Sequence, residues 1–539
     1  MTVPTHSYDH IIIGGGSAGC VAASALVQAG RRVLVIERGP AKASGLMAFY
    51  LPMPAAWMKG ISDGSVVEMH QPVPQTHLDG RMPGVGQAAI LGGGTAINAM
   101  VYTRGQHADY DGWDAMLGGC SGWSFADMLP HFRGMEHNHR FHDQWHGVDG
   151  PVHVSDTGAI CPLTEAYCLA VQGMGVPYNP DFNGARQGGV GTMQYTTYRN
   201  RRYNGVDAFL APLKDDPRLT ILTGATVSRI VIEKGQARGV VFRKGGQEQT
   251  EYCEADVLLS AGAYNSPKIL MLSGIGHADH VKEHGLAPVL DLPGVGINLQ
   301  DHHEVPVVAS TKGAYGYFGE DRGLRMLRNG LQYLLFNTGP VASAGVEACA
   351  YIDPEAGDRP TIKMYCVQTV YLDGDVAGVK STHGVTLNAC LLRPQSRGSV
   401  RLRSSDPFAK PVVDNNYLAE PDDLRREIGG LRYAREILAQ RPLSGMIKTE
   451  LLPGPGVTDE ASLAAHCRRT VKTNWHPVGT CRMGRDSEPD AVLETQCRVR
   501  GIDGLRVIDA SAMPVIPSGN TNAPTMAVAS RAMAWLLQS

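Results

Sequence analysis

The residues Gly14-Gly15-Gly16-Ser17-Ala18-Gly19 constrain this chain more than any other stretch. They follow a short apolar run, Ile11-Ile12-Ile13, and open a small, apolar segment from Ala18 to Ala29. A second apolar run, Val33-Leu34-Val35-Ile36, comes next. Strand, glycine turn, helix and strand in that order predict a βαβ unit of a parallel sheet. Gly14 permits the tight turn, Gly16 lets a pyrophosphate approach the backbone, and Gly19 lets helix and strand pack closely. The phosphates then meet the unpaired N–H groups of the helix N-terminus, at Ser17 and Ala18. Glu37 ends the second strand at the spacing where a carboxylate takes a ribose hydroxyl, and Arg38 follows it. The fingerprint predicts a dinucleotide and does not separate FAD from NAD.

With 539 residues the chain exceeds one ordinary core and is expected to divide into domains. Its 43% hydrophobic and 19% charged residues are those of a globular protein. A formal charge of −3 with no basic stripe argues against a nucleic-acid partner. The 11 cysteines are scattered, odd in number and without a CxxC pair. They predict reduced, buried thiols of an intracellular enzyme and no disulfide framework. The start has no basic region before an apolar run, and the stretch from Ile11 is broken at Gly14, so neither a signal peptide nor a membrane span is expected there.

Further along, 220–262 reads as a second β-rich stretch returning to the same sheet: Val227, Ile230, Val231 and Ile232, a turn at Lys234-Gly235, then Val257-Leu258-Leu259. From about 306 to 420 the pattern changes to strands with polar alternation, such as Gly398-Ser399-Val400-Arg401-Leu402, which predicts an antiparallel sheet in another domain. Leu424, Ile428, Leu431 and Leu438 fall on one helix face. The expectation is an α/β (α+β) protein. A Rossmann-like cofactor domain takes 1–155, with a lid loop over about 45–85, and continues through 201–305 and 466–539. A substrate domain of 156–200 and 306–465 is inserted and carries the antiparallel sheet.

Other stretches add a resemblance. They are Leu91-Gly92-Gly93-Gly94-Thr95-Ala96-Ile97-Asn98-Ala99-Met100-Val101-Tyr102, the run from Gly262-Ala263-Tyr264-Asn265-Ser266-Pro267 to Gly274-Ile275-Gly276, and Asn474-Trp475-His476-Pro477-Val478-Gly479-Thr480. Asp509-Ala510-Ser511 through Gly519-Asn520-Thr521-Asn522-Ala523-Pro524-Thr525 completes the set. In this order, spanning nearly the whole chain, they resemble the signatures of the glucose–methanol–choline oxidoreductases, nearest to bacterial FAD-dependent alcohol and choline dehydrogenases. The resemblance implies FAD. Gly92, Gly93, Thr95, Asn98, Ala99, Met100 and Val101 would lie along the flavin, Val227 at the adenine, and Asp509 and Ala510 at the pyrophosphate or ribityl chain, with Ala261 and Gly262 also binding the cofactor. Asn520, Thr521, Asn522 and Thr525 would abut the flavin at the start of a terminal helix beginning near Pro524, whose dipole favours negative charge on the reduced ring.

The same resemblance implies oxidation of a primary alcohol to an aldehyde by hydride transfer to flavin N5. His476 would be the base, because a neutral imidazole suits the O–H proton. Asn520 would orient the substrate oxygen. Electrons would pass to a quinone or other acceptor. An oxidase using O2, or a non-redox lyase that retains FAD, are the alternatives. The family's basic residue before the first Gly-Gly is absent, Ala88-Ala89-Ile90 standing there. Ile97 occupies the place of the histidine that attaches FAD covalently in some members, so non-covalent FAD is expected. The placement expected is cytoplasmic, with peripheral association at the inner membrane left open, as is the oligomeric state.

Other residues carry no expected chemistry. His137, His139, His142 and His146 have metal-like spacing but no evident acidic or cysteine partner, so no metal is expected. His302 and His303, after Asp301, read as structural, and Arg199, Arg201 and Arg202 as a solvated basic face. Ser17 and Ser266 sit in Gly- and Pro-rich contexts, Ser17 inside the dinucleotide fingerprint itself, and a serine hydrolase is not expected.

Overall fold

In the computed structural model the described residues are 8–538 except 373, 375 and 377, so the first seven residues of the N-terminal expectation lie outside them. Five parallel strands form the sheet of the dinucleotide fold. Their spatial order is Leu219–Thr223, Val33–Glu37, His10–Ile13, Val257–Leu259 and Leu505–Val507. Ile12 sits opposite Val35 on one side and Leu258 on the other. The strand from His10 to Ile13 and that from Val33 to Glu37 are buried throughout, which is why they read as continuous apolar runs rather than alternating ones. The small-residue helix Ser17–Gln28 packs against the C-terminal helix Asn522–Leu536, so the two ends of the chain share one layer.

One expectation is corrected here. Of the stretch 220–262, only Leu219–Thr223 and Val257–Leu259 join the parallel sheet. The strands Ala225–Glu233, Gln236–Lys244 and Gln247–Tyr252 make a separate three-stranded antiparallel sheet. The cause is local. Lys234-Gly235 and Gly245-Gly246 all have positive φ, the geometry of two-residue hairpin turns. Such turns fold a strand back antiparallel and cannot return it to a parallel sheet.

The second large sheet has seven strands. Ile447–Leu452, His303–Thr311, Gly384–Leu391, Ile362–Val367, Val346–Ile352 and Gly189–Thr192 run side by side, and Lys472–Thr473 pairs with the second of these. It is antiparallel, as expected, but it lacks polar alternation: the four central strands are buried throughout. Helices Pro162–Gly173, Pro421–Ala439 and Glu460–Thr470 cover one face. The other face walls the central cavity, with Tyr351, Tyr365, Val367 and Leu392 in its apolar cluster. Leu424 is partly buried and Ile428, Leu431 and Leu438 are buried on the sheet side of the covering helix. Gly398–Arg401, read as typical of this sheet, lies instead in a smaller mixed sheet where Val412–Asp414 runs parallel to Val67–Pro72. The supposed lid loop holds helices Gly45–Tyr50 and Trp57–Ile61 and the strand Val67–Pro72.

Candidate active site

One cavity of about 990 Å³ runs from the parallel sheet to the seven-stranded sheet. At the first end its wall is backbone. Gly14 has φ +100, and a Cβ on Gly19 would sit 2.0 Å from the Gly14 carbonyl oxygen, so helix and turn meet at a distance only glycine allows. The Gly92-Gly93 turn touches this loop: Gly92 N–H donates to the Gly15 carbonyl at 2.7 Å, and a Cβ on Gly93 would lie 2.7 Å from Gly16 Cα. The helices Ser17–Gln28 and Asn522–Leu536 both point their N-termini at the cavity. Neither has a side-chain cap or an acidic residue in its first turn, so their first N–H groups are available to a ligand anion. Ser17 Oγ donates to Asn522 Oδ1 at 2.8 Å and ties the two starts together. The second helix begins at Asn522, and Pro524 is its third residue, where a missing N–H still costs nothing. Glu37 is buried, and burial raises its pKa. Its two oxygens accept the N–H groups of Gly15 (2.9 Å) and Gly39 (2.7 Å).

At the other end a chain of side chains sets proton positions. His476 follows Trp475, whose φ of +63 turns the backbone sharply after the strand Lys472–Thr473. His476 N–H donates to Asp301 Oδ1 at 2.8 Å. Asp301 also accepts the hydroxyls of Tyr417 and Thr473, both at 2.5 Å, and burial lifts its pKa to about 6 despite these bonds. The imidazole of His476 lies between two partners: Nδ1 is 3.0 Å from His302 Nδ1, and Nε2 is 3.0 Å from Asn520 Nδ2.

The tautomers follow from the ends of this chain. His302 Nε2 lies 3.0 Å from the Leu392 carbonyl and so must carry hydrogen. Burial pushes the His302 pKa down to about 3, so its other nitrogen is bare and accepts. His476 Nδ1 therefore donates. Burial, with the charge of Lys363 adding to it, holds His476 well below its ordinary pKa, which leaves Nε2 as a lone pair facing the cavity. Asn520 Oδ1 accepts from Lys363 Nζ (2.8 Å) and Tyr365 OH (3.3 Å), which fixes its NH2 toward His476.

Two family models, both described as GMC oxidoreductase, match the chain, one over residues 8–304 and the other over 394–529. The chain belongs to the glucose–methanol–choline oxidoreductase family. An alcohol dehydrogenase (acceptor) of Pseudomonas putida is 37% identical over 537 residues, covering 97% of this chain and 95% of the relative. An oxygen-dependent choline dehydrogenase of Sinorhizobium fredii is 36% identical, covering 98% and 95%. Among solved structures, the pyridoxine 4-oxidase of Mesorbium loti superposes with a TM-score of 0.89 at 28% identity, covering 99% of both chains.

This GMC oxidoreductase is an FAD-dependent flavoprotein acting on CH–OH donors. Its cavity fits the cofactor: the glycine cradle leaves room where any Cβ would intrude, and two uncapped helix starts face it. Nearly every residue the sequence singled out lines this cavity. Gly14, Gly16, Ser17, Ala18, Glu37 and Arg38 do so on the first strands. Gly93, Asn98, Ala99, Met100 and Val101 do so on the second glycine turn, with Val227, Ala261, Gly262, Asp509 and Ala510 nearby. His476, Asn520, Thr521, Asn522 and Thr525 complete it. Gly19, Gly92 and Thr95 stand behind the wall instead: Thr95 Oγ1 bonds the Gly92 carbonyl (2.5 Å) and accepts the Gly205 N–H (2.9 Å). The Asp509 carboxylate is wholly used inside the protein, accepting from Gly262 N, Ser266 Oγ, Ser511 N and Ser511 Oγ.

Several residues that shape the site lie outside the sequence expectation. His302, which with His303 reads as structural in the sequence, holds the His476 ring, and Asp301 holds its backbone. Lys363, a lone charge within the apolar strand Ile362–Val367, was a visible signal that went unread. Arg202 is not a solvated residue. It is buried and donates to Leu51 O, Thr95 O and Asn98 Oδ1, clamping the glycine turn. Acidic partners do surround one histidine of the His-rich run: His146 lies 3.0 Å from both Glu136 and Asp181. Strand pairing and the loop at 181 bring these together, and spacing in the chain could not reveal it. Asp143, His146 and Asp181 form one group able to hold a cation, and His137, His139 and His153 another. The 11 cysteines are all free thiols.

Proposed function

We propose that this oxidoreductase converts a primary alcohol to its aldehyde, with His476 as base and Asn520 orienting the substrate oxygen. The observation that carries the reading is the pair His476 Nε2 and Asn520 Nδ2, 3.0 Å apart, with the imidazole tautomer set from behind by His302. An alcohol oxygen bridging this pair gives its proton to Nε2 and accepts the second N–H of the Asn520 amide. Lys363 pulls on the amide oxygen, which strengthens that N–H as negative charge grows on the substrate oxygen. FAD, when bound, supplies the hydride acceptor. Loss of the O–H proton and of hydride from carbon leaves the aldehyde. Held in this geometry, the alcohol avoids the entropic cost of a free encounter.

Met100, Val101, Val346, Tyr365 and Val367 line the cavity, and the carboxylate of Glu304 there is paired with Lys472 at 3.4 Å. That lining suits an uncharged alcohol better than a choline-like cation. Ile97, which cannot bond the flavin, supports non-covalent FAD. We assign the electrons to a quinone or similar acceptor, and the protein to the cytoplasmic side of the cell.

The test is anaerobic spectroscopy with alcohols of graded polarity. Bleaching of the flavin by an apolar primary alcohol in the wild type, and its loss in His476→Ala, supports the chemistry and the base. Rapid recolouring in air would overturn the acceptor assignment in favour of an oxidase. Flavin that no alcohol bleaches would sink the redox reading itself.

A further inference from the structure

Four short strands outside the two large sheets carry a group of imidazoles that the alcohol chemistry does not use. Val101–Tyr102, Gln194–Tyr195, Val152–Asp156 and Glu136–Asn138 lie side by side in that order, the last at the edge. The edge strand runs parallel to its neighbour, and His137 stands directly opposite His153. His139 follows two residues on, and its N–H donates to the Val154 carbonyl at 2.9 Å, which keeps it on the same ladder. Side chains alternate between the faces of a strand. Glu136, Asn138, Val152 and Val154 are buried on one face, so His137, His139 and His153 share the other, where solvent reaches them. Spacing in the chain predicts no metal here because the third imidazole comes from the next strand, 14 residues after His139.

The three rings form a triangle. Their centroids are 4.9 Å apart for His137 and His139, 4.7 Å for His137 and His153, and 5.0 Å for His139 and His153. His139 Nε2 lies 2.9 Å from His153 Nδ1, and one nitrogen from each ring falls within 4.8 Å of the other two. Tyr198 stacks on His153 at 4.3 Å, and Tyr203 meets it edge-on at 4.8 Å, which limits how far that ring can turn. The one cation within the His137–His142 run, Arg140, is paired with Asp156 at 3.2 Å.

These positions suit a metal ion. Zinc–imidazole bonds of about 2.0–2.1 Å put two ligand nitrogens about 3.3 Å apart at a tetrahedral angle. The contact between His139 and His153 has to open by only a few tenths of an ångström to reach that. Each neutral imidazole has one N–H and one lone pair, so aiming all three lone pairs at an ion exchanges tautomers and releases no proton. Three nitrogens without a carboxylate favour Zn2+, Cu2+ or Ni2+ over Mg2+ and Ca2+, which take oxygen ligands.

We propose that His137, His139 and His153 bind one divalent transition-metal ion of the Zn2+ type, with the remaining coordination position open to water. The ion would cross-link the three-residue edge strand to its neighbour. Through Tyr198 it would also brace the strand pair Thr197–Tyr198 and Arg201–Arg202, whose Arg202 clamps the second glycine turn. None of the three histidines lines the cavity, so the site stands apart from the alcohol chemistry and does not depend on it.

The experiment is calorimetric titration of the full-length, FAD-loaded protein, stripped with a chelator, with Zn2+ in excess Mg2+. The wild type is expected to take up one equivalent per chain. Even the outer partners of a metal site are worth about 10–100-fold in affinity, so His139→Ala and His153→Gln should each weaken binding about a hundredfold or more, with flavin content unchanged. The glutamine variant keeps a polar partner for His139, so its loss reports ligation and not folding. Asp143→Asn should leave the affinity as it is. The proposal fails if the wild type takes up no Zn2+, or if the two histidine variants bind it as the wild type does. It also fails if Asp143→Asn abolishes binding, which would hand the ion to Asp143, His146 and Asp181.

Discussion

At one end of the cavity the wall is backbone, and at the other it is a relay of side chains. Around Gly14, Gly16 and Gly93 the binding groups are peptide N–H and open space, and the buried carboxylates close by, Glu37 and Asp509, bond the protein itself. Around His476 the polar groups are linked in series, and each bond decides the next: Leu392 carbonyl, His302, His476, Asn520, Lys363. The first end is suited to holding a large anion whatever the substrate. The second is suited to fixing one proton. The difference teaches that affinity for the cofactor and speed of the chemistry should separate under mutation.

Substitutions at four positions sharpen or break that separation. The largest effect belongs to His476→Ala: kcat/KM should fall about a thousandfold, the worth of a positioned base, with flavin content unchanged. Flavin lost from this variant would show that the two ends are one unit. Gly93→Ala tests the converse. Its Cβ meets Gly16 Cα at a φ of +52, so FAD should bind roughly ten- to a hundredfold more weakly, read by titrating apoprotein. Turnover at saturating FAD should change far less.

His302→Ala should lower kcat about tenfold by orphaning the His476 Nδ1 proton, while His302→Gln, whose amide oxygen can accept it, should recover part of that. Equal losses in both would mean that His302 only fills space. Lys363→Met should show the smallest change in rate and the clearest change in pH dependence. His476 is held below its ordinary pKa, first by burial and then by Lys363. The base is therefore neutral, and activity present, at and above the ordinary histidine range, and activity is lost as pH falls through the lowered value. Removing the Lys363 cation raises that value, so the acid limb of kcat/KM should move up in pH. A limb that stays in place, or moves down, breaks the relay at its Lys363 end.

Much of the first end was legible in the chain because its causes are local. A GxGxxG turn after an apolar run, a Glu at the end of the next strand and a second Gly-Gly turn each dictate backbone shape within a dozen residues, and each faces the cavity except Gly19, Gly92 and Thr95, which pack behind it. The hairpin turns at Lys234-Gly235 and Gly245-Gly246 were equally local, yet the apolar runs beside them suggested a return to the main sheet that turn geometry forbids.

The sequence by itself determined the parallel sheet's three inner strands and the glycine cradle, because each is set by residue type and short spacing, while the candidate base and its amide partner were implied only by the family resemblance. Only the tertiary structure decided which His476 nitrogen is bare, and that His302, 174 residues away, makes the choice. It alone turned Lys363 toward Asn520, 157 residues away, buried Arg202 under the second glycine turn, and set His153 opposite His137. The reason is physical. A backbone conformation is chosen by its neighbours in the chain, but a proton's position and a side chain's exposure are chosen by whatever the fold brings within about 3 Å, the range of a hydrogen bond.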